Sequence, residues 1–131
     1  MTRTDRLSVG IDVVSVTEVA RSLERFGERY VRRIFTEPES DYCRAAVGRV
    51  AAVRYAARFA AKEAAVKALR PCGPWTDWRA IEVHRHEAGW CDLILHREAA
   101  ALAASRHLVN FELSLSHGAD YATAVVVAQA S

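Results

Sequence analysis

The chain has 131 residues, of which 51% are hydrophobic and 26% are charged. This length and balance predict one globular domain over residues 1–131 and exclude a fibrous or largely disordered chain. The formal net charge of +2 is too small to favour non-specific binding to nucleic acid, although the many arginines could form local patches for an anionic partner.

Cysteine content and hydropathy indicate the compartment. The three cysteines are widely spaced and include no C-x-x-C pair, which argues against a disulfide framework or structural zinc and favours a reducing environment. No apolar run approaches the roughly 18–20 residues that a membrane-spanning helix needs. We therefore expect a cytoplasmic protein without a signal peptide or a membrane segment.

The apolar pattern predicts an α+β domain in which helices pack on a largely antiparallel sheet. Ser15 and Thr36 are expected to cap the N-termini of two helices. The expected elements are, in chain order, a strand at 7–14, helices from 15 to 27, through 30–34, from 36 to before 48 and at about 50–69, a hairpin of strands at 79–84 and 90–96, a helix at 97–107, and strands at 110–117 and 121–127.

The stretch R-F-A-A-K-E-A-A-V-K-A-L at 58–69 is the most informative one in the chain. Its alanines and its lack of glycine and proline predict a helix. The helical period places Phe59, Glu63 and Lys67 on one face. On that face Glu63 and Lys67 could form only a solvated (i, i+4) ion pair, which is the ordinary alternative to a functional role.

A line of cations adjoins that face. Arg54, Arg58 and Lys62 follow each other at intervals of four residues and should share one side of the helix. The chain has 16 arginines but only two lysines, Lys62 and Lys67, and both lie in this helix. A lysine is a compact, rotatable point charge that suits a phosphate oxygen or a proton transfer.

Asp12 is the other carboxylate in an unusual setting, because it lies in the middle of the apolar first strand. A desolvated carboxylate needs a cation, a metal or several donors, unless it caps the helix that follows. Asp12 and Glu63 together are a plausible carboxylate pair for Mg²⁺, which also takes waters and phosphate oxygens. A metal with cations around a phosphate is the usual arrangement for phosphoryl-type transfer.

Three segments resemble one family in order and separation. They are Gly10-Ile11-Asp12-Val13, the stretch at 58–68, and Ser114-Leu115-Ser116-His117 followed by Tyr121-Ala122. The chain resembles the holo-acyl-carrier-protein synthase family, the small type of 4'-phosphopantetheinyl transferase. The resemblance implies transfer of 4'-phosphopantetheine from coenzyme A to a serine of an apo acyl carrier protein, with release of adenosine 3',5'-bisphosphate.

The resemblance also implies roles for individual residues. Asp12 and Glu63 would hold Mg²⁺ against the pyrophosphate of coenzyme A, and Glu63 would also be the base for the attacking serine, directly or through a metal-bound water. Lys67 would neutralise charge on the pyrophosphate or the leaving group, which makes Asp12, Glu63 and Lys67 the expected catalytic residues. The residues expected to bind coenzyme A are Arg54, Arg58, Lys62 and His117.

The family further implies a homotrimer with sites between neighbouring subunits, and an acidic carrier protein that docks on the first helix. Glu18 replaces an arginine that the family usually has there, so we expect Arg21, Arg25 or the cluster Arg29, Arg32 and Arg33 to bind the carrier. Ser15 stands where the family often has a further carboxylate. The segment 70–74, R-P-C-G-P, replaces a glycine-rich loop, so coenzyme A contacts from that loop are not expected here.

Two alternatives of other classes remain at this point. A catalytically silent relative could keep the fold and bind the carrier protein, and Glu18 with the altered loop would favour it. The second alternative is a generic domain whose basic face binds an anionic partner, although the small net charge gives this alternative little support.

Overall fold

A computed structural model of the chain describes residues 6–131. The strands are β1 (Leu7–Ser15), β2 (Ile81–Arg85), β3 (Cys91–Leu95), β4 (Leu108–His117) and β5 (Tyr121–Ala130). The helices are α1 (Val16–Phe26), α2 (Glu28–Ile34), α3 (Glu37–Arg44), α4 (Gly48–Leu69) and α5 (Arg97–Ser105), with a short 3-10 helix at Trp78–Ala80. Among the helices of this part of the chain, none is long and apolar enough to cross a membrane.

The strands form two antiparallel groups, which confirms the predicted α+β fold. One is a three-stranded sheet in the order β1-β5-β4, in which Asp12 lies opposite Ala124. The other is the β2–β3 hairpin. The first and last strands of the chain are therefore neighbours, and α4 packs across both of them.

Helix α4 approaches β1 unusually closely. Ala64 and Ala68 are fully buried, and Gly10 of β1 lies against their backbone. Alanine side chains on the helix and a missing side chain on the strand leave only backbone between the two elements. This packing places Asp12, two residues after Gly10, beside α4.

Local side chains determine where the first helices begin. Ser15 Oγ accepts a hydrogen bond from the Glu18 N–H at 3.2 Å, and Thr36 forms a reciprocal capping box with Glu39. Both predicted N-caps are therefore confirmed. Gly27 has a φ of 54° and separates α1 from α2, as its position in the sequence indicated.

The C-terminal boundaries differ from the sequence prediction. Helix α5 ends at Ser105, and β4 already begins at Leu108, earlier than the strict alternation at 110–117 suggested. The pairing of β4 with β5 shifts between Val109 and Glu112, where Asn110 has a φ of 53°. This bulge interrupts the alternation of side chains, which is why the pattern marked only the regular part of the strand.

One face of the sheet is apolar and exposed at β1. The side chains of Leu7, Val9, Ile11 and Val13 are 57–61% exposed, whereas the residues between them face α4. Alternation along the strand produces this two-sided character.

Candidate active site

Asp12 of β1 and Lys67 of α4 form the first part of the site. Lys67 Nζ lies 3.0 Å from Asp12 Oδ1 and donates a second hydrogen bond to the carbonyl oxygen of Ile11 at 2.9 Å. The side chain of Asp12 is only 12% exposed. Lys67 therefore pairs with Asp12 rather than forming the alternative (i, i+4) pair with Glu63, and Ser15, not Asp12, caps α1.

The second oxygen of Asp12 has no such partner. Oδ2 is buried and, within residues 6–131, makes no hydrogen bond. An unpaired buried carboxylate oxygen is costly, because it has lost its water without gaining a donor. The oxygen is therefore available to a cation that the protein does not itself supply.

Glu63 of α4 lies next to this carboxylate, and we call Asp12 and Glu63 the carboxylate pair. Burial raises the pKa of Glu63 to about 8; a hydrogen bond with the Asp12 side chain, which requires Glu63 to be protonated, and the charge of Asp12 add to the rise, and Lys67 opposes it. Two adjacent carboxylates resist being ionised together unless positive charge lies between them. The pair is consequently short of positive charge despite the presence of Lys67.

The carboxylate pair fits a hard divalent cation. Mg²⁺ takes oxygen ligands, needs few from the protein, and fills its octahedron with water and substrate phosphate oxygens. A cation between the two carboxylates would give Asp12 Oδ2 a partner and would favour the ionised form of Glu63, whose pKa is otherwise raised. Among residues 6–131 no cluster of three or more His, Cys, Asp or Glu side chains suits a metal, so the protein would contribute these two carboxylates alone.

A second group of charged residues surrounds the ring of Tyr42 on α3. The guanidinium carbons of Arg54, Arg58 and Arg85 lie 4.2, 4.3 and 5.0 Å from the ring centroid. Arg54 also donates a hydrogen bond to the Tyr42 carbonyl oxygen at 2.8 Å. We call Tyr42 and the three arginines the arginine cluster; none of these arginines has an ion-pair partner among the described residues.

The arginine cluster lines a cavity of about 540 Å³. His117, at the end of β4, and Trp90, on the β2–β3 hairpin, line the same cavity. Arg58 is only 5% exposed and donates one hydrogen bond, to the Arg54 carbonyl oxygen at 3.4 Å, so an anionic ligand would stabilise its charge. The cavity has the size and charge of a site for a phosphate-bearing ligand.

The structure thus divides the residues that the sequence singled out into two places. Asp12, Glu63 and Lys67 lie together, and Arg54, Arg58 and His117 share the cavity. The carboxylate pair does not line that cavity. Tyr42 and Arg85 were not singled out by the sequence, yet they belong to the arginine cluster.

Lys62 does not occupy the expected position. Its side chain is 0% exposed and forms an ion pair of 2.8 Å with Glu39, whose side chain is also 0% exposed. Its ammonium group also donates hydrogen bonds to the carbonyl oxygens of Trp78 and Ile81. All three N–H groups are used within the protein, so the expectation that Lys62 binds a coenzyme A phosphate is wrong.

The arginines expected to meet a partner lie on exposed surface. Arg21 and Arg25 of α1 are exposed, and Glu18 is exposed on the same helix. Arg32 Nε lies 3.6 Å from Glu28 Oε2, and this exposed ion pair contributes little to the free energy of unfolding. The α1–α2 surface therefore carries several cations together with the exposed acidic side chains of Glu18, Glu24 and Glu28.

Comparison with known proteins connects this fold and site to a class. Residues 8–126 match the 4'-phosphopantetheinyl transferase superfamily. The chain is 40% identical over 122 residues to a holo-[acyl-carrier-protein] synthase of Koribacter versatilis, covering 92% of this chain and 96% of that protein. The chain is 42% identical over 128 residues to one of Paramagnetospirillum magneticum, covering 95% and 96%.

A solved structure agrees with these sequence relationships. The chain superposes on an ACPS-CoA complex from Chronobacterium ammoniagenes with a TM-score of 0.86 and 30% identity, covering 97% of this chain and 99% of that chain. The chain therefore belongs to the holo-[acyl-carrier-protein] synthase family of that superfamily.

Proposed function

We propose that the protein transfers the 4'-phosphopantetheine group from coenzyme A to a serine of an apo acyl carrier protein, giving the holo carrier and adenosine 3',5'-bisphosphate. The observation that carries this proposal is the carboxylate pair, in which Asp12 Oδ2 is buried without a partner beside Glu63. The relatives are named as synthases of this type, and a similar structure is a complex with coenzyme A.

Asp12 and Glu63 would hold Mg²⁺, which when bound supplies positive charge to the pyrophosphate of coenzyme A. Lys67 is fixed by Asp12 and the Ile11 carbonyl oxygen, so its charge stays close to the carboxylate pair. There it stabilises negative charge that grows on the bridging oxygen as the pyrophosphate breaks.

Glu63 is the proposed base. The serine oxygen attacks the phosphorus that carries pantetheine, and its proton passes to Glu63. The bond from that phosphorus to the bridging oxygen breaks, and adenosine 3',5'-bisphosphate leaves with the electron pair. The raised pKa of Glu63 applies to the site without a cation; bound Mg²⁺ would favour the ionised carboxylate, which is the form that accepts the proton.

The arginine cluster and His117 would bind the phosphates of the nucleotide end of coenzyme A. Arg54 and Arg58 would keep the role that the resemblance implies for them, and Arg85 would join them, because all three surround Tyr42. The absence of ion-pair partners for these arginines among residues 6–131 favours an anionic ligand in the cavity.

A homotrimer is part of the proposal. Four large apolar side chains on the outer face of β1 are 57–61% exposed, and an apolar patch of this kind favours association between subunits. The cavity with His117 and the carboxylate pair also lie apart in one chain, so a site assembled from two neighbouring subunits would bring the two groups together.

The second substrate is proposed to be an acidic carrier protein that meets Arg21 and Arg25. We also propose a cytoplasmic location, where the thiols of Cys43, Cys72 and Cys91 would stay reduced.

The test is intact-mass spectrometry of several apo carrier proteins after incubation with the protein, coenzyme A and magnesium. A mass gain of one phosphopantetheine group that disappears with a chelator is the expected result. Binding of coenzyme A without any mass gain on fatty-acid, polyketide or peptide carriers would contradict the proposal and favour the silent relative. No binding of coenzyme A at all would leave only the fold in common with the family.

A further inference from the structure

The buried Glu39–Lys62 ion pair connects three elements. Lys62 of α4 pairs with Glu39 of α3 at 2.8 Å. Glu39 Oε2 accepts a hydrogen bond of 2.7 Å from the N–H of Val83 in β2, and Lys62 donates to the carbonyl oxygen of Ile81 in the same strand. The pair therefore joins α3, α4 and β2 through polar contacts inside the core.

The same three elements supply the arginine cluster. Tyr42 follows Glu39 by three residues on α3, Arg58 precedes Lys62 by four residues on α4, and Arg85 follows Val83 by two residues on β2. Each of these spacings keeps two residues on one face of a helix or a strand. The two residues of each element are separated by about 4–7 Å along its axis, so the ion pair and the cluster lie next to each other where the three elements pack together.

A small cavity confirms that the ion pair and the cluster are neighbours. A space of about 190 Å³ has Glu39, Tyr42, Arg58, Val83 and Arg85 among its lining residues. Glu39 of the ion pair and three members of the cluster therefore share its walls, and a shift of Glu39 would be felt by these neighbours.

The ion pair is also nearly fully satisfied. Glu39 Oε1 accepts a further hydrogen bond from the Thr36 N–H at 2.8 Å, and Lys62 donates to the Trp78 carbonyl oxygen at 3.1 Å. A buried ion pair adds little net stability compared with apolar residues of similar size, but its directional bonds hold one geometry. Directional bonds matter here because three guanidinium groups around one ring repel each other.

We propose that Glu39 and Lys62 are positioning residues for the nucleotide cavity: their ion pair holds α3, α4 and β2 so that Tyr42, Arg58 and Arg85 surround one anionic group of the ligand. The inference rests on the proposed function, because coenzyme A supplies that anionic group. Neither residue touches the ligand, and both act through the elements that carry the cluster.

The experiment uses the double variant Glu39→Leu/Lys62→Met, which replaces the pair by apolar side chains and avoids a buried, unpaired charge. Urea unfolding first establishes that the variant folds. Titration with adenosine 3',5'-bisphosphate without magnesium then measures the affinity of the cavity for the nucleotide. Steady-state kinetics give kcat and KM for coenzyme A. Arg97→Gln, which breaks a largely exposed pair with Asp77 and changes no residue of the ion pair or of the cluster, is the control.

The expected result is a folded double variant whose affinity for adenosine 3',5'-bisphosphate falls about 10-fold and whose KM for coenzyme A rises to match, a loss of the size typical for supporting contacts of a site. Its kcat at saturating coenzyme A should stay within about threefold, because the carboxylate pair is elsewhere. The neutral variant Glu39→Gln/Lys62→Met keeps an acceptor for the Val83 N–H and leaves no buried, unpaired charge, so it should retain most of the affinity.

A folded Glu39→Leu/Lys62→Met variant with wild-type affinity would overturn the positioning role, as would a loss in Glu39→Gln/Lys62→Met as large as in Glu39→Leu/Lys62→Met. A separate variant, Arg54→Gln/Arg85→Gln, tests the cavity itself. Unchanged affinity there would refute the proposed nucleotide site rather than the positioning role.

Discussion

A Cβ atom on Gly10 would lie 1.9 Å from the carbonyl oxygen of Ala64 and 2.9 Å from the amide nitrogen of Ala68. Strand β1 and helix α4 thus meet at a distance that only glycine permits. Asp12 and Glu63 extend from the same two elements beside this contact, so the spacing of the carboxylate pair depends on it.

Gly10→Ala is therefore expected to affect both stability and activity. The added methyl group meets backbone rather than a movable side chain, so α4 must shift, at a cost of about 1–3 kcal/mol in the free energy of unfolding. The shift should also lower magnesium-dependent transfer. Urea unfolding and the mass assay measure the two effects.

Gly73→Ala is the matched control, because a Cβ atom there meets nothing within 4 Å. Its free energy of unfolding should stay within about 0.5 kcal/mol of the wild type. Equal stability of Gly10→Ala and the wild type would contradict the close approach of β1 and α4.

The sequence predicted the elements and the carboxylate pair because their signals are local. β-Branched residues between polar flanks marked β1, alanine content marked α4, and Asp12 was conspicuous because it interrupts an apolar strand. The pairing of Lys67 with Asp12 across 55 residues agrees with the placement of both residues in one site.

The roles of Lys62 and Arg85 depended on contacts between distant segments. Helical spacing put Lys62 in line with Arg54 and Arg58. It could not reveal that α3 and β2 cover Lys62, or that α3 supplies Glu39 as its buried partner. Arg85 stands beside Tyr42 only because β2 packs next to α3. Short-range patterns carry no signal for such contacts.

Glu63→Gln is expected to lower kcat by at least about 10²- to 10³-fold, the loss typical when one group that stabilises or accepts charge in the transition state is removed. The metal-free variant should be as stable as the wild type or more stable at neutral pH. The reason is that folding raises the pKa of Glu63, so the folded state disfavours the ionised carboxylate that Gln removes.

Mass-spectrometric rates and thermal unfolding without magnesium test both expectations. Glu98→Gln, an exposed change in α5, should alter neither. Transfer by Glu63→Gln at the wild-type rate would refute the role of the carboxylate pair.

Ile11→Lys tests the proposed trimer. The side chain of Ile11 is 61% exposed in one chain, so lysine there should leave the subunit folded. In an assembly that covers the outer face of β1, however, three lysines would be buried close together, which is costly. We expect monomers by sedimentation, together with a large loss of transfer activity.

Val47→Lys provides the comparison, because Val47 is 85% exposed and lies before α4, away from the apolar face of β1. It should sediment like the wild type. A trimer that persists in Ile11→Lys would place any subunit interface on another surface.

Glu18→Arg tests the carrier-binding surface. Glu18 shares the exposed side of α1 with Arg21 and Arg25, and it would repel the proposed acidic carrier, which these two residues would attract. Replacing it should raise kcat/KM for an acidic carrier protein by about 3- to 10-fold at low salt, whereas KM for coenzyme A should not change. The gain should shrink as salt rises towards about 1 M, because exposed charges are then screened beyond about 3 Å.

Glu98→Arg separates a local effect from a change in net charge, because it makes the same charge reversal on α5. General attraction between a more basic protein and an acidic carrier would raise kcat/KM in both variants, whereas docking on α1 would raise it only in Glu18→Arg. Steady-state rates with one carrier at several salt concentrations distinguish the two cases. Equal gains in both variants would remove α1 as the docking surface and leave the position of the carrier to be sought elsewhere around the carboxylate pair.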